Sequence, residues 1–301
     1  MNRSQRQLSL AETLITASIQ VAGVSAILFV TLIFLFLLKE GLPALKDVSL
    51  TNLLSIRWYP IENYFGLLPL IGGTLLVTIG AALVAVPLGL GTAIYIAEVA
   101  PRWAREVLKP FVEVMAGIPS VVLGFIGMLV VAPRLRTLLN LPTGLTALAG
   151  SILLGLISIP TIVSIAEDAL DAVPRSYRDA SLAMGANRWQ TIWRVTLPAA
   201  RSGVITAVML GLGRSIGETM TVMMVTGNAA VLPASLGALL APVRTMTATI
   251  AAEMGEVAVG SSHYHVLFFI GIILFLISLT VNLIASAVVF KQRSRGERIL
   301  S

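Results

Sequence analysis

The chain has 301 residues, of which 56% are hydrophobic and 12% are charged. Its mean hydropathy is +0.91. A soluble domain needs far more charge at its surface, so these values exclude that class and indicate an integral membrane protein. The sequence contains no Cys, which excludes structural disulfides and Cys-ligated metal sites.

The net charge of +6 arises mostly from Arg and Lys residues in the loops beside apolar segments. That distribution is typical of membrane topology, so it argues against nucleic-acid binding. The apolar segments are long and uninterrupted, which favours transmembrane helices of about 20 residues each over the strands of a barrel. We therefore predict an all-α membrane protein with six transmembrane helices. The predicted spans cover about residues 17–38, 69–97, 111–132, 145–167, 201–226 and 264–290.

The distribution of positive charge predicts the orientation of the chain. With the N-terminus in the cytoplasm, fourteen of the 21 Lys and Arg residues fall in cytoplasmic segments and six in extracytoplasmic ones. Both termini are therefore expected in the cytoplasm. The first apolar run is too long for a signal peptide and is expected to be retained. The predicted segments are a cytoplasmic N-terminus (1–16), a first span with an extracytoplasmic connection (17–68), a transmembrane domain (69–290) that contains a cytoplasmic hairpin (168–200), and a basic cytoplasmic tail (291–301).

Prolines lie inside three of the predicted spans, at positions 87, 119 and 160. Each removes a backbone hydrogen bond, and in a membrane such a break is tolerated mainly where protein or water satisfies the freed carbonyl. Two of the prolines precede hydroxyl residues, Ser120 and Thr161. The prolines either kink the helices for packing or line a polar path, and the second interpretation makes Ser120 and Thr161 candidate substrate contacts.

The fifth predicted span carries two charged residues near its middle, Arg214 and Glu218. Arg214 lies roughly 20 Å deeper than Arg201 at the rise of a helix, and an Arg at that depth costs about 2.5–3.5 kcal/mol on insertion scales. Two interpretations stay open: a buried ion pair with Glu218, or a transit site for an anion, because guanidinium binds phosphate-like oxygens through paired hydrogen bonds. The small and polar residues of this span recur at three- and four-residue steps and are predicted to share one helical face. They are Ala207, Gly211, Arg214, Glu218 and Thr221.

The cytoplasmic hairpin is predicted to form two short helices, 177–185 and 186–196, that meet at Gly185. The first carries small and apolar residues, and the second has an amphipathic face with Trp189 and Trp193. The hairpin either lies on the lipid surface or presents a knob to a groove on a soluble partner. The knob is formed by Ala180, Ala183 and Ala186, together with Leu182 and Met184.

Other polar residues have simpler interpretations. Lys109 and Glu113 are four residues apart and are predicted to pair. The acidic residues 167, 168 and 171, at the inner end of the fourth span, are expected to contact arginines of the hairpin. The two histidines, at positions 263 and 265, are weak candidates for a metal site and better candidates for interface packing.

The hairpin resembles the coupling loop of ABC-importer permeases, whose pattern is Glu-Ala-Ala, three residues, Gly, nine residues and Ile-x-Leu-Pro. Here the run DASLAMG at 179–185 is followed by VTLP at 195–198. Asp, Ser and Val replace Glu, Ala and Ile, while the Gly and the Leu-Pro are kept. Further stretches, among them AGIPSVVLGFIG, GRSIGETM and HYHVLFF, resemble the PstC-type permeases of phosphate importers.

That resemblance implies a type I ABC-importer permease of MetI-like architecture in a bacterial cytoplasmic membrane. It implies a homologous second permease of the PstA type, two ATPase subunits of the PstB type and an extracytoplasmic phosphate-binding protein of the PstS type. The chain has no Gly-Lys dipeptide and hence no P-loop, so no cofactor is expected in it and ATP-Mg would bind to the partner ATPase. The resemblance also implies that 179–185 docks in the ATPase and that Arg214 and Glu218 lie on the phosphate path.

Two rival functions stay open. The same architecture could carry another oxyanion, such as sulfate, molybdate or phosphonate, because one Arg and one Glu do not separate these by charge. A stand-alone ion-coupled transporter would use the same charged pair as its own gate. A membrane enzyme is disfavoured because the spans show no nucleophile with a base, paired Asp residues or metal set.

Overall fold

The computed structural model describes residues 3–300, and it describes the surroundings of the side chains of residues 12–287 except 14, 236 and 285. The basic side chains of the predicted tail, 291–301, lie outside this part. The fold is almost entirely helical. The helices are α1 (Arg3–Gly41), α2 (Ala44–Asp47), α3 (Leu50–Leu53), α4 (Leu68–Ile94), α5 (Arg102–Ala116), α6 (Ser120–Ile126), α7 (Ala132–Leu138), α8 (Ala147–Asp171), α9 (Arg175–Ala183), α10 (Arg188–Thr191), α11 (Leu197–Ala199), α12 (Arg201–Gly217), α13 (Met220–Val225), α14 (Met246–Glu253) and α15 (Ser262–Leu300).

Several of these helices run on through π-helical turns, and short irregular elements join others. The π-helical turns cover Tyr95–Val99 after α4, Gly127–Val131 between α6 and α7, and Ile192–Thr196 between α10 and α11. Two 3₁₀ turns cover Pro60–Glu62 and Leu236–Leu240. Strands β1 (Trp58–Tyr59) and β2 (Tyr64–Phe65) form an antiparallel hairpin that pairs Trp58 with Phe65.

The centre of the molecule is the packing of α8 against α4 and α12. On α4, the alanines at 81, 85 and 93 are fully buried, and such small residues let neighbouring helices approach closely in a membrane. α1 packs against α15, where Phe34 stacks on Phe275 with ring centroids 4.6 Å apart. The remaining apolar surface of α1 is exposed, as expected for a helix that faces lipid.

Within the described residues, five helices are long and apolar enough to cross a membrane, and the number is six if a pair of helices bent by 74° is counted as one span. The pair joins residues 188–199 to residues 201–217 at the start of α12. The predicted all-α, six-span architecture agrees with this arrangement.

The third span differs from the prediction of 111–132. The span runs over Ser120–Leu138, and α5 is a separate amphipathic helix before it. α5 ends at Ala116 because Gly117 and the extended Pro119 interrupt it. Pro87 and Pro160 instead lie inside continuous helices, so of the three prolines only the one at 119 breaks its predicted span.

The fifth span also differs from the prediction of a continuous helix over 201–226. α12 ends at Gly217, Glu218 has an extended backbone, and α13 starts at Met220. At the end of the bundle away from the hairpin, the segment between the first two spans packs with α14 and the start of α15. Their shared apolar core contains Trp58, Phe65, Leu70, Met246, Leu267 and Ile270.

Candidate translocation site

Arg214 and Thr161, which the sequence analysis singled out separately, are in direct contact. Arg214 Nη1 on α12 donates a hydrogen bond of 3.1 Å to Thr161 Oγ1 on α8. The two helices come close because Gly211 faces Ile162, and a Cβ at Gly211 would lie 2.5 Å from Ile162 Cγ1. Both polar residues are half-buried. Among the described side chains, Arg214 has no carboxylate within ion-pair distance, so most of its hydrogen-bond donors remain available to a ligand.

A second polar contact beside this one was missed by sequence reasoning. The hydroxyls of Ser158 on α8 and Ser215 on α12 lie 2.7 Å apart, and both residues are buried. Ser158 precedes Thr161 by one helical turn, and Ser215 follows Arg214 directly. Hydroxyl residues repeated at this spacing inside an apolar span are the signal that could have indicated a polar seam between the two helices.

Glu218 does not lie on the helical face of Arg214, so the predicted shared face is wrong at this residue. Of the two interpretations left open for the charged residues, the ion pair of Arg214 with Glu218 is not formed among the described side chains. The helix ends at Gly217, and the Glu218 carboxylate accepts instead from the Thr221 N–H, with 3.5 Å between Oε1 and N. The Glu218 carbonyl accepts from Thr247 Oγ1 on α14 at 3.0 Å. Because protein groups satisfy the backbone at the break, the interruption is tolerated inside the bundle.

Ser120 joins the same region through its backbone. Its carbonyl accepts a hydrogen bond of 2.9 Å from Thr221 Oγ1, so α6 is tied to α13 just beyond the break. The four predicted path residues therefore form two contacts, Arg214 with Thr161 and Glu218 with Ser120 by way of Thr221. A Cβ at Gly213 or Gly217 would meet nothing within 4 Å, so open space adjoins the end of α12 that carries Arg214.

The hairpin at 168–200 has the predicted two-helix form. α9 is followed by Gly185 at φ +86°, a left-handed conformation that favours glycine. α10 then begins with a capping box in which Asn187 and Gln190 satisfy each other's backbone N–H groups. The residues expected to dock in the ATPase are all exposed, and Met184 is 89% exposed. They are Asp179, Ala180, Ala183, Met184 and Gly185.

The acidic side chains at the end of α8 pair with cations of α5, and among the described residues none of them pairs with an arginine of the hairpin. Glu167, only 2% exposed, accepts from Arg105 Nη2 at 3.0 Å and from Lys109 Nζ at 2.6 Å. Lys109 also pairs with Asp168, and Arg105 with Asp171. The predicted pairing of Lys109 with its neighbour four residues on and the predicted contact of this acidic cluster with hairpin arginines are both wrong.

These contacts shift the titration of the two cations. The hydrogen bond to Glu167 raises the pKa of Lys109, although partial burial opposes the shift. The hydrogen bond to Asp171 likewise raises the pKa of Arg105. Both groups are therefore cationic at neutral pH, and they hold the carboxylates of α8 against α5.

At the end of the bundle away from the hairpin, the two histidines contact carboxylates. His263 Nε2 lies 2.8 Å from Glu253 Oε2. Glu253 Oε1 accepts from Trp58 Nε1 at 3.1 Å and forms an ion pair with Arg244 Nη2 at 2.7 Å. Burial by itself would raise the pKa of Glu253, but the His263 hydrogen bond, the Arg244 charge and the Trp58 hydrogen bond lower it. His265 Nδ1 lies 2.7 Å from Asp47 Oδ2. The contacts join the segment before α4 to α14 and α15.

The family described as "Binding-protein-dependent transport system inner membrane component" matches residues 85–295, which is more than half of the chain. The chain belongs to this family. The matched region contains α8, α12, the break at Glu218 and the whole hairpin at 168–200.

Individual members of the family match over most of their length. The "Probable ABC transporter permease protein YqgH" of Bacillus subtilis is 43% identical over 228 residues, covering 75% of this chain and 73% of that protein. The "Phosphate transport system permease protein PstC" of Mesorhizobium japonicum is 34% identical over 299 residues, covering 93% of this chain and 90% of that protein.

Solved structures of transport-system membrane components share the fold. The inward-facing MetNI methionine ABC transporter matches with a TM-score of 0.58 at 20% identity, covering 78% of this chain and 99% of that one. A bacterial alginate ABC transporter matches with a TM-score of 0.58 at 18% identity, covering 87% and 92%. At these identities the likeness concerns the fold, and it agrees with the MetI-like architecture expected from the sequence.

Proposed function

We propose that this chain is a PstC-type permease subunit of an ATP-driven inorganic phosphate importer. The observation that carries the proposal is Arg214, a half-buried guanidinium at the centre of the bundle whose hydrogen bonding the protein leaves largely unfilled. The relatives named as phosphate permeases support phosphate as the anion.

In this proposal Arg214 binds phosphate oxygens through charge-assisted hydrogen bonds as the anion passes. Thr161 orients the guanidinium, because its hydroxyl holds Nη1. Glu218 lowers the net positive charge of the path, which favours release, and Ser120 borders the path where α6 meets α13. Binding must stay weak enough to allow exit, and one Arg beside one Glu suits that requirement.

Coupling to ATP is assigned to the exposed hairpin. Asp179, Ala180, Ala183, Met184 and Gly185 would insert into a groove of a PstB-type ATPase, which binds ATP-Mg. Motion of the hairpin would then be passed to α8 and α12, exposing Arg214 first outward and then inward. A homologous PstA-type permease would complete the path, and a PstS-type binding protein would deliver phosphate from outside.

The proposed location is the bacterial cytoplasmic membrane with both termini inside. The excess of Arg and Lys in the segments on the hairpin side supports this orientation. The apolar surfaces of α1 and α15 would face membrane lipid.

The test is phosphate uptake into vesicles by the complex reconstituted from the two permeases, the ATPase and the binding protein. We expect that uptake requires ATP and that sulfate at about ten times the phosphate concentration does not reduce it. Uptake without ATP would overturn the coupling role in favour of an ion-coupled transporter. Competition by sulfate, molybdate or phosphonate would keep the importer and replace the substrate.

A further inference from the structure

Arg178 lies on α9, next to the exposed residue Asp179, but its side chain points into the protein. Its guanidinium forms an ion pair with Glu98, which is only 8% exposed and lies in the π-helical turn that follows α4. Nε and Nη2 both donate to Glu98 Oε1, at 3.1 and 2.6 Å, and Nε lies 3.3 Å from Oε2. The planar fork of Arg matches a carboxylate in this way, and a Lys ammonium does not.

The same guanidinium also binds the backbone at the inner end of α8. Nη2 donates to the Leu170 carbonyl at 2.8 Å, and Nη1 donates to the Val173 carbonyl at 2.6 Å. Carbonyls of a last helical turn lack helical partners, and a cation there also interacts favourably with the helix dipole. One side chain of α9 therefore joins the ends of α4 and α8.

α8 continues from this contact to the candidate translocation site. Leu170 and Thr161 lie on the same helix, roughly 13 Å apart at the rise of an α-helix. Thr161 in turn receives the hydrogen bond of Arg214. A displacement of α9 can thus reach the Arg214 contact through a rigid helix, provided that the bonds of Arg178 hold.

We propose that Arg178 is a positioning residue that locks the coupling helix α9 to α4 and α8, so that the three move together when the ATPase moves the hairpin. This inference rests on the proposed function, because it assumes that α9 contacts an ATPase. Loss of the lock would let α9 follow the ATPase while α4 and α8 lag behind. ATP hydrolysis would then continue with less phosphate moved.

The decisive variant is Arg178→Lys, which keeps the charge but loses the fork. The readout is phosphate imported per ATP hydrolysed in the reconstituted complex, a ratio that does not depend on how much complex assembles. We expect this ratio to fall roughly fivefold or more, the lower end of typical coupling between sites. Glu98→Gln, which preserves shape, should lower the ratio in the same direction.

Arg175→Lys is the matched control, since Arg175 is an exposed arginine on the same helix. Its ratio should equal that of the unmodified complex. An unchanged ratio in both Arg178→Lys and Glu98→Gln, even with lower thermal stability, would overturn the lock and leave Arg178 a purely stabilising residue.

A second measurement does not depend on transport. The sequence has no Cys, so spin labels can be attached to introduced cysteines, for example at Ser176→Cys, an exposed position on α9, and at Leu88→Cys on α4. The distribution of distances between the two labels should be single and narrow, and it should broaden when Arg178→Lys is added. An equally narrow distribution in the variant would overturn the lock. Broadening in a complex that shows no ATP-dependent uptake would contradict the proposed function but retain the mechanical link between α9 and α4.

Discussion

Arg178 and Arg214 are both half-buried arginines, yet their guanidinium groups are bonded differently. Arg178 donates to a nearly buried carboxylate and to two backbone carbonyls. Arg214 donates to a single hydroxyl, that of Thr161, among the described residues. A guanidinium whose donors are filled by protein fixes the parts around it, whereas one with unfilled donors can receive an anion.

The surroundings of the two arginines explain the contrast. Glu98 lies beside Arg178 and neutralises it within the fold. Beside Arg214, Gly213 and Gly217 leave open space, and the nearest acidic residue in sequence, Glu218, is turned away by the break that follows α12. The chain thus places protein partners where it needs rigidity and leaves them out where a substrate must bind and leave.

The largest expected effect is on Arg214→Ala. Two charge-assisted hydrogen bonds to phosphate, each worth about 1.5–3 kcal/mol, would be lost, so uptake should fall by about 100-fold or more. The melting temperature should stay constant or rise, because a charge at this depth is itself unfavourable. Transport assays and thermal unfolding of the same purified complex measure both effects.

Arg201→Ala is the control, since Arg201 is exposed at the start of the same helix. It should leave uptake within about twofold of the unmodified complex, as expected of a surface substitution away from special features. Full ATP-driven uptake by a folded Arg214→Ala, Glu218→Ala double variant would contradict the assignment of Arg214 to the substrate path. Arg214 would then have a structural role, like Arg178.

A moderate effect is expected for Glu167→Ala, which tests a buried charged group that, like Arg178, is bound by other groups of the protein. Removing this buried carboxylate leaves Arg105 and Lys109 without their shared partner. Both cations are partly exposed, so the loss of stability should be about 1–3 kcal/mol, below that of a wholly buried pair. Thermal unfolding in detergent measures it.

The outcome for transport distinguishes Glu167 from Arg214. Uptake per folded complex should be nearly unchanged in Glu167→Ala, and Glu113→Ala, which removes an exposed carboxylate of α5, should alter neither stability nor uptake. A loss of uptake without a loss of stability would place Glu167 on the transport path instead of in the scaffold.

Much of this architecture could be predicted from local sequence. Hydropathy predicted six apolar spans, although the third lies further along the chain than predicted and the fifth is broken after Gly217. The Gly at 185 marked a turn whose left-handed φ favours glycine. The resemblance to a family of permeases predicted the fold class that the comparisons support.

The long-range polar contacts could not be predicted in the same way. Lys109 pairs with Glu167 on another helix, and no local spacing rule identifies a partner so distant in sequence. The break after Gly217 depends on a hydroxyl of Thr247, which satisfies the Glu218 carbonyl from a different segment. A helical periodicity extended through residue 218 therefore placed Glu218 on the face of Arg214, which the break after Gly217 prevents.

The smallest expected effect separates two glycines of α12 and tests whether the space beside Arg214 is open. A Cβ at Gly213 meets nothing within 4 Å, so Gly213→Ala should change stability by less than about 1 kcal/mol, with a gain favoured by helix propensity. A Cβ at Gly211 would lie 2.5 Å from Ile162 Cγ1, so Gly211→Ala should destabilise by about 1–3 kcal/mol through overpacking. Thermal unfolding of both variants gives the comparison. Equal destabilisation of the two Ala variants would mean that Gly213 is packed against protein and that the space beside Arg214 is filled. A loss of uptake in a fully stable Gly213→Leu variant would mean that a larger side chain there obstructs the path.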